Sequence, residues 1–194
     1  MEDESVSVVN RKLIKCMNFS AIKHRFQRRK DPDKTPYINH PIGVAYILSE
    51  EAGITDLNIL QAALLHDTIE DTDTTLDELK KEFGEEVAAI VAEVSDDKTL
   101  PKQERKRLQI LHASKASPSA KLVKLADKLY NLRDLNHATP EGWSEERVQE
   151  YFIWAAKVVN QIRGINSALE SSLDVIFKER HVDLIRVEGD NHIS

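Results

Sequence analysis

Residues 62–73, AALLHDTIEDTD, join a small apolar run to a dense group of ionisable side chains that begins with His66 and Asp67. Two similar candidates lie elsewhere in the chain, His40 in YINHP and Asp127 in KLADKL. Two imidazoles with two carboxylates suit an octahedral divalent ion such as Mn²⁺, Fe²⁺ or Mg²⁺, and catalytic zinc is also compatible with them. We therefore predict a metal site with positions left for water and a substrate oxygen.

Each of these residues also has a purely structural interpretation. His66 would be a core histidine bonded to a carbonyl, and Asp67 would end a helix. Asp127 shares its predicted helix face with apolar residues, so we expect it to be partly buried and to need a partner. Lys124 or Lys128 would provide that partner in a buried salt bridge. The residues alone leave both interpretations open.

Glu70 and Asp71 follow the candidate ligand pair almost at once. If the helix continues, each lies four residues after a candidate ligand and stays beside it. Crowded carboxylates repel one another unless a cation compensates, and a carboxylate beside a metal can orient a water and take its proton. The alternative is that EDTDTT is a solvated acidic loop that caps the next helix.

Basic residues form local runs in a chain whose net charge is −6. Arg29 and Lys30 adjoin the loop that leads to His40, and PKQERKR forms a second run at 101–107. Arginine binds phosphate through two bonds and lysine through a point charge, so these runs are candidate phosphate sites. The alternative, strongest for 101–107, is a solvated helix face.

Helical periodicity extends over nearly all of the 194 residues, with only six glycines and six prolines. The pattern predicts an all-α domain of about eight to ten helices. Thr75, Ser117 and Ser144 are predicted to begin helices. The predicted helices cover about 6–29, 39–51, a segment from about 56 into the stretch 62–73, a segment that begins at 75–78 and ends before Gly84, 85–95, a segment after Pro101, a segment from Pro118, 144–163 and 166–179. We expect a hydrolase domain at 1–181 and a tail of unknown role at 182–194, where Val182, Leu184, Ile185 and Val187 would make a short strand-like run.

Composition excludes several classes of protein. The net acidic charge argues against a nucleic-acid partner, and no apolar run approaches the ~20 residues of a membrane span. Cys16 is the single cysteine, so no internal disulfide is expected. The acidic N-terminus lacks the apolar stretch of a signal peptide. We expect a soluble cytoplasmic protein, and the sequence does not indicate its oligomeric state.

Four stretches together resemble a known family: HRFQRRKDPDKTPYINHPIGVA, ITDLNILQAALLHDTIEDTDTTLDEL, FGEEVAAIVAEVSDDKT and AKLVKLADKLYNLRDL. They are similar to the HD-domain metal-dependent phosphohydrolases, and most closely to the hydrolase domain of RelA/SpoT-type alarmone enzymes in its small stand-alone animal form. The resemblance covers about residues 18–180. SDDKTLPK differs from the Gly-containing stretch of the bacterial hydrolases.

The resemblance implies a compact HD-domain helical bundle that holds one Mn²⁺ through His40, His66, Asp67 and Asp127. It also implies that Glu70 and Asp71 act on the attacking water. The positions that match substrate contacts of the family are Arg29, Lys30 and Asn131, with Lys102, Trp143, Arg147 and Tyr151 in weaker parts of the pattern. Asn131 lies four residues after Asp127, so helix geometry places it toward the same pocket.

The implied activity is hydrolysis of guanosine 3′,5′-bis(diphosphate), ppGpp, to GDP and pyrophosphate. Two alternatives stay open: removal of the 2′-phosphate of NADPH in the same site, and a non-catalytic nucleotide-binding module that kept the HD fold. The chain has no room for the synthetase domain of the long bacterial enzymes, so we expect no alarmone synthesis.

Overall fold

The computed structural model describes residues 6–183, and every regular element among them is helical. An isolated antiparallel bridge between Arg28 and Pro36 is the extended pairing seen in this range. The all-α prediction is confirmed. The elements are α1 Val6–Lys23, α2 Asn39–Tyr46, a π-helical turn Ile47–Glu51, α3 Leu57–Leu65, α4 Thr68–Asp71, α5 Leu76–Phe83, α6 Glu85–Val94, α7 Lys102–Ala113, α8 Pro118–His137, α9 Glu145–Asn160 and α10 Ser167–Glu179.

Side-chain caps begin several of these helices. The hydroxyl groups of Thr75, Ser117 and Ser144 each accept a backbone N–H at the start of α5, α8 and α9, as predicted. Asp56 and Asn166 do the same at the start of α3 and α10. Each cap satisfies a backbone donor that has no partner within the helix and stabilises it by about 1 kcal/mol.

Helix α1 ends at Lys23, earlier than the predicted end near residue 29. The following segment folds back on itself instead of continuing the helix. The backbone N–H of Arg29 donates to Thr35 O at 2.8 Å, and that of Tyr37 donates to Gln27 O at 3.1 Å. These long-range backbone bonds replace helical ones and turn the basic loop toward the start of α2.

Two further details differ from the predicted helix pattern. The last part of the predicted helix 39–51 is the π-helical turn, where the Ala52 N–H reaches back five residues to Ile47 O. The short helix α4 was not predicted. In the predicted tail, Val182 is buried and its N–H donates to Phe177 O, while residues 184–194 lie outside the described residues. The division at residue 181 stays a prediction.

Helix α8 packs against α2, α3, α6, α9 and α10 and brings the candidate ligands together. A close approach at Gly43 in α2 permits this packing, because a Cβ atom there would overlap the ring of Tyr130 in α8. Helix α2 carries His40, His66 follows α3 directly, and α8 carries Asp127. The helix packing therefore converts four distant positions into one site.

The apolar run before His66 lies at the centre of the core. Ala62, Ala63, Leu64 and Leu65 are all buried in α3. Removing a buried leucine side chain of this kind costs about 2–5 kcal/mol. Dense packing below His66 therefore fixes the end of α3, from which the ligand pair extends.

Candidate active site

The four predicted ligands converge at one point. His40 Nε2 lies 3.1 Å from His66 Nε2, 3.3 Å from Asp67 Oδ2 and 3.3 Å from Asp127 Oδ1. His66 Nε2 lies 3.1 Å from Asp67 Oδ2 and 3.7 Å from Asp127 Oδ1. Ligand atoms about 2.1 Å from one ion and at right angles to each other are separated by about 3 Å. The ligand atoms of His40, His66 and Asp67 lie within 4.8 Å of one another and fit a single first-row divalent ion, and Asp127 Oδ1 adjoins both histidines.

The hydrogen bonding of His66 also fits a metal ligand. Its Nδ1 donates to the carbonyl oxygen of Ala63 at 2.7 Å, so the lone pair of the neutral ring is on Nε2, which faces the other ligands. Both histidines are buried. The predicted bond between His66 and a carbonyl is therefore present, and it serves the ligand arrangement.

The electrostatics of the metal-free cluster favour positive charge at the histidines. Burial lowers the pKa of His66, but Asp67 and Asp127 outweigh burial and hold that pKa well above its usual range. Burial raises the pKa of Asp67, but the two histidines outweigh it and hold that pKa well below its usual range. Two partly buried carboxylates favour positive charge where they meet the histidines, and a divalent ion would supply it.

Asp127 uses its two oxygens differently. Oδ1 faces the histidines and accepts the side-chain amide of Asn131 at 2.6 Å. Oδ2 accepts from Lys128 Nζ at 2.8 Å, and that ammonium lies 4.8 Å from the centre of the Trp154 ring. The buried salt bridge considered as an alternative is therefore present together with the ligand arrangement.

Glu70 lines the same cavity of about 180 Å³ as the four ligands. Its Oε1 accepts the backbone N–H of Asp96 at 2.5 Å, which leaves the second oxygen available to a water. Burial raises the pKa of Glu70 to about 7. A carboxyl group with that pKa is suited to exchange a proton with a reacting water near neutral pH.

Asp71 lies one residue further, at the end of α4. The helix does not continue straight through residues 66–71, because α3 ends at Leu65 and α4 begins at Thr68. The Asp71 N–H nevertheless donates to Asp67 O at 2.9 Å, so the two acids remain one turn apart. Asp71 Oδ2 accepts from Gln27 Nε2 at 2.9 Å, and Oδ1 pairs with Lys98.

A second cavity of about 420 Å³ adjoins the metal pocket. Arg29, Asn131 and Tyr151 line both cavities, whereas Lys30 lines the second one only. The Arg29 guanidinium donates to Asn131 Oδ1 at 2.8 Å and to Asp134 Oδ2 at 2.7 Å. Asn131 therefore links a predicted ligand, Asp127, to a predicted phosphate-binding arginine.

The remaining predicted substrate contacts lie around a third cavity of about 400 Å³, lined by Lys102, Trp143, Arg147 and Tyr151 among others. The Arg147 guanidinium lies 4.1 Å from the centre of the Trp143 ring, and Lys102 Nζ lies 5.8 Å from it. Burial lowers the pKa of Lys102, and the nearby cations Arg147 and Lys30 lower it further. Cations outnumber acids by three to two along this lining, which favours an anionic ligand.

Tyr37 is one contributor that the sequence reasoning did not single out. Its hydroxyl group donates to Asp67 Oδ2 at 2.6 Å, the oxygen that faces both histidines. Tyr37 lies three residues before His40 and just before α2. The spacing of three residues from His40 is the only sequence feature that points to Tyr37, and it does not reveal a bond to Asp67, 30 positions away.

This arrangement of helices and ligands agrees with the comparison to known families. The model of the HD domain matches residues 16–156, and the chain belongs to the HD-domain family. The His and Asp cluster within that domain indicates a site for a divalent metal ion. Within residues 6–183, none of the helices has the length and apolar character needed to cross a membrane.

Several relatives cover nearly the whole domain. A human protein named guanosine-3′,5′-bis(diphosphate) 3′-pyrophosphohydrolase MESH1 is 68% identical over 168 residues, covering 87% of this chain and 94% of its own. The Drosophila melanogaster protein of the same name is 58% identical, with the same coverage of 87% and 94%. A solved structure described as a metazoan ortholog of SpoT that hydrolyzes ppGpp is 57% identical, with a TM-score of 0.87 over 89% of this chain and 97% of that one.

Proposed function

We propose that this protein is a Mn²⁺-dependent hydrolase that converts ppGpp and water to GDP and pyrophosphate. The observation that carries the proposal is the convergence of His40, His66, Asp67 and Asp127 beside Glu70 in one cavity. Relatives named for this activity align over the full domain, which supports the choice of substrate. The NADPH and non-catalytic alternatives are not favoured by the names of these relatives.

The two histidines and two aspartates would hold the metal. When bound, Mn²⁺ lowers the pKa of water and stabilises negative charge on a phosphoryl group. The chain fixes the ligand geometry before binding, because Ala63 orients His66 and Lys128 occupies the outer oxygen of Asp127. Little rearrangement is then needed when substrate enters.

Glu70 acts as the general base. It accepts a proton from the water that attacks the phosphorus bonded to the ribose 3′ oxygen, while its bond from Asp96 N–H holds the carboxylate in place. The bond between that phosphorus and the 3′ oxygen breaks, the 3′ oxygen takes a proton from solvent as GDP leaves, and Glu70 returns its proton to solvent. Asp71, fixed by Gln27 and Lys98, lines the adjoining second cavity, from which it would help to orient the water.

The basic side chains neutralise the phosphate groups. Arg29 lies between the metal pocket and the second cavity, so it can contact the 3′ pyrophosphate while Asn131 orients it. Lys30 adds charge beside it. The remaining groups of the nucleotide reach the third cavity, lined by Lys102, Trp143, Arg147 and Tyr151.

A coupled loss of metal and activity tests the proposal. The purified protein and its Asp67→Ala and His66→Ala variants are compared for bound Mn²⁺ and for pyrophosphate released from ppGpp. We expect both variants to lose the ion and the activity together while remaining folded. A variant without bound Mn²⁺ that still releases pyrophosphate at the original rate would contradict the assignment of these ligands.

A further inference from the structure

A buried histidine lies at the end of α1, outside the metal cluster. His24 is 2% exposed and its Nδ1 lies 2.7 Å from Gln27 Oε1. Its ring stacks on that of Tyr37, with the ring centres 4.9 Å apart and the planes inclined by 30°. His24 therefore contacts two residues that each reach toward the acids of the candidate active site.

One branch of contacts runs from His24 through Gln27 to Asp71. Its hydrogen bonds have a fixed donor and acceptor at each step. An ionised Asp71 can only accept, so the Gln27 amide nitrogen must face it, as it does at 2.9 Å. The Gln27 oxygen is then left for His24, which must carry its proton on Nδ1. Burial lowers the pKa of His24, so its ring stays neutral with this single donor. In both hydrogen bonds of this branch, only one assignment of donor and acceptor is therefore possible.

The branch through Tyr37 ends at a predicted metal ligand. The Tyr37 hydroxyl group donates to Asp67 Oδ2 at 2.6 Å, and the ring is held between His24 and His40, whose centre lies 5.7 Å away. Hydrogen bonds to a ligating carboxylate orient it and tune its affinity for metal. The same histidine therefore supports both a ligand and a water-orienting acid.

If His24 only filled space in the core, it would not need polar ring nitrogens. His24 Nε2 is buried and has no hydrogen-bond partner among residues 6–183, so the polar ring is less favourable there than an apolar one. A phenylalanine would fill a similar volume without that cost. The bond to Gln27 is the contact that an apolar ring could not make.

We propose that His24, Gln27 and Tyr37 form one positioning unit, in which Gln27 sets the orientation of Asp71, Tyr37 sets that of Asp67, and His24 holds both. The inference rests on the proposed function for the role of Asp71. The branch to Asp67 depends only on metal binding. The three residues act through these acids and are positioning residues.

A double-variant experiment tests the branch to Asp71. Gln27→Leu, His24→Phe and the double variant are assayed for kcat and KM with ppGpp at saturating Mn²⁺. Losing a residue that positions a metal-site group typically costs about 10–100-fold, so we expect kcat to fall by about tenfold in each single variant. KM and the Kd for Mn²⁺ should change by less than about twofold, because His24→Phe keeps an aromatic ring against Tyr37.

Non-additivity distinguishes positioning from general damage. If His24 acts on kcat through Gln27, the double variant is no slower than the slower single variant. Gln149→Leu is the matched control, since Gln149 donates to Arg180 O away from the site, and its kcat should be unchanged. The branch would be overturned if the fold-decreases in kcat of the two single variants multiply in the double variant. It would also be overturned if Gln27→Leu leaves kcat unchanged. If His24→Phe does not fold, Gln27→Leu alone decides it.

Metal affinity tests the branch to Asp67 without substrate. Titration with Mn²⁺ should give a Kd about tenfold weaker for Tyr37→Phe, because Asp67 loses its fixed orientation. Tyr46→Phe is the control, since Tyr46 is 60% exposed. An unchanged Kd would refute the branch. If the unmodified protein binds Mn²⁺ but releases no pyrophosphate, the proposed function fails, and the Kd of Tyr37→Phe decides the inference by itself.

Discussion

Lys128 lies next to Asp127 in the chain and binds the carboxylate oxygen that the histidines do not face, with Nζ 2.8 Å from Oδ2. Its side chain is 6% exposed, and that of Asp127 is 17% exposed. Burial lowers the pKa of Lys128, but Asp127 and the other nearby groups together outweigh burial and raise that pKa, so the lysine stays charged. This carboxylate therefore has a permanent cation on its outer oxygen, while its inner oxygen faces the histidines, where we propose that the metal binds.

Replacing Lys128 with methionine leaves the partly buried Asp127 carboxylate without its counter-charge. Removing one partner of a buried pair is strongly destabilising, so we expect the free energy of unfolding of the metal-free protein to fall by about 3 kcal/mol. Saturating Mn²⁺ should recover part of this loss, because the ion binds only the folded state. Urea unfolding with and without Mn²⁺ measures both effects.

The matched control is Arg107→Met, which removes an ion pair between Arg107 and Glu104 on the surface of α7. An exposed pair of this kind contributes about 0–1 kcal/mol. Equal effects of the two substitutions would show that the Asp127 pair is not buried in the way described here.

Substitution of Glu70 by glutamine separates metal binding from catalysis. The amide keeps an oxygen that can accept the Asp96 N–H, but it cannot take a proton from water. We expect kcat to fall by about 10²–10⁴-fold, the usual contribution of a general base, with the Kd for Mn²⁺ nearly unchanged. Full turnover by Glu70→Gln would remove Glu70 from its assigned role.

The same substitution should stabilise the metal-free protein in a pH-dependent manner. Burial raises the pKa of Glu70 from 4.5 to about 7. Below pH 4.5 the group is protonated in both the folded and unfolded states and has no effect. As pH rises toward 7, ionisation favours the unfolded state, so the cost grows and is complete above pH 7. We expect Glu70→Gln to raise Tm by about 7–14 °C at pH 8 and by about 1 °C or less at pH 4.5. A Tm increase that is equal at both pH values would contradict this ionisation.

Gly43 allows α2 and α8 to approach each other. A methyl group there overlaps the Tyr130 ring, so Gly43→Ala should move the helix that carries His40 away from the one that carries Asp127. Overpacking of this kind costs about 1–3 kcal/mol, and we expect Mn²⁺ affinity to fall with it. The double variant Gly43→Ala, Tyr130→Leu should regain affinity. Wild-type affinity in Gly43→Ala alone would show that the helix spacing does not control the site.

Local sequence patterns were sufficient for features within one helix. The spacing of four between Asp127 and Asn131 placed both in one pocket, and the hydroxyl caps located the start of three helices. Long-range contacts were not accessible in this way. The bond between Arg29 and Asn131 joins residues 102 positions apart, and helical periodicity carries no information on such pairs.

The bend after α3 shows a second limit of local reasoning. Periodicity suggests that the helix continues through residues 66–71, but Asp67 instead occupies the start of α4. Its carboxylate is held by Tyr37 and the two histidines, and these tertiary contacts override the weak preference for a continuous helix. Such departures from regular structure are expected where side chains build a site.

The identity of the products formed from ppGpp tests the central claim most directly. The metal-depleted protein is incubated with ppGpp before and after addition of Mn²⁺, and GDP, pyrophosphate and phosphate are quantified. We expect no reaction before addition, and GDP and pyrophosphate in equal amounts afterwards. Release of single phosphate groups, or no Mn²⁺-dependent reaction from a folded protein that binds the ion, would contradict the account.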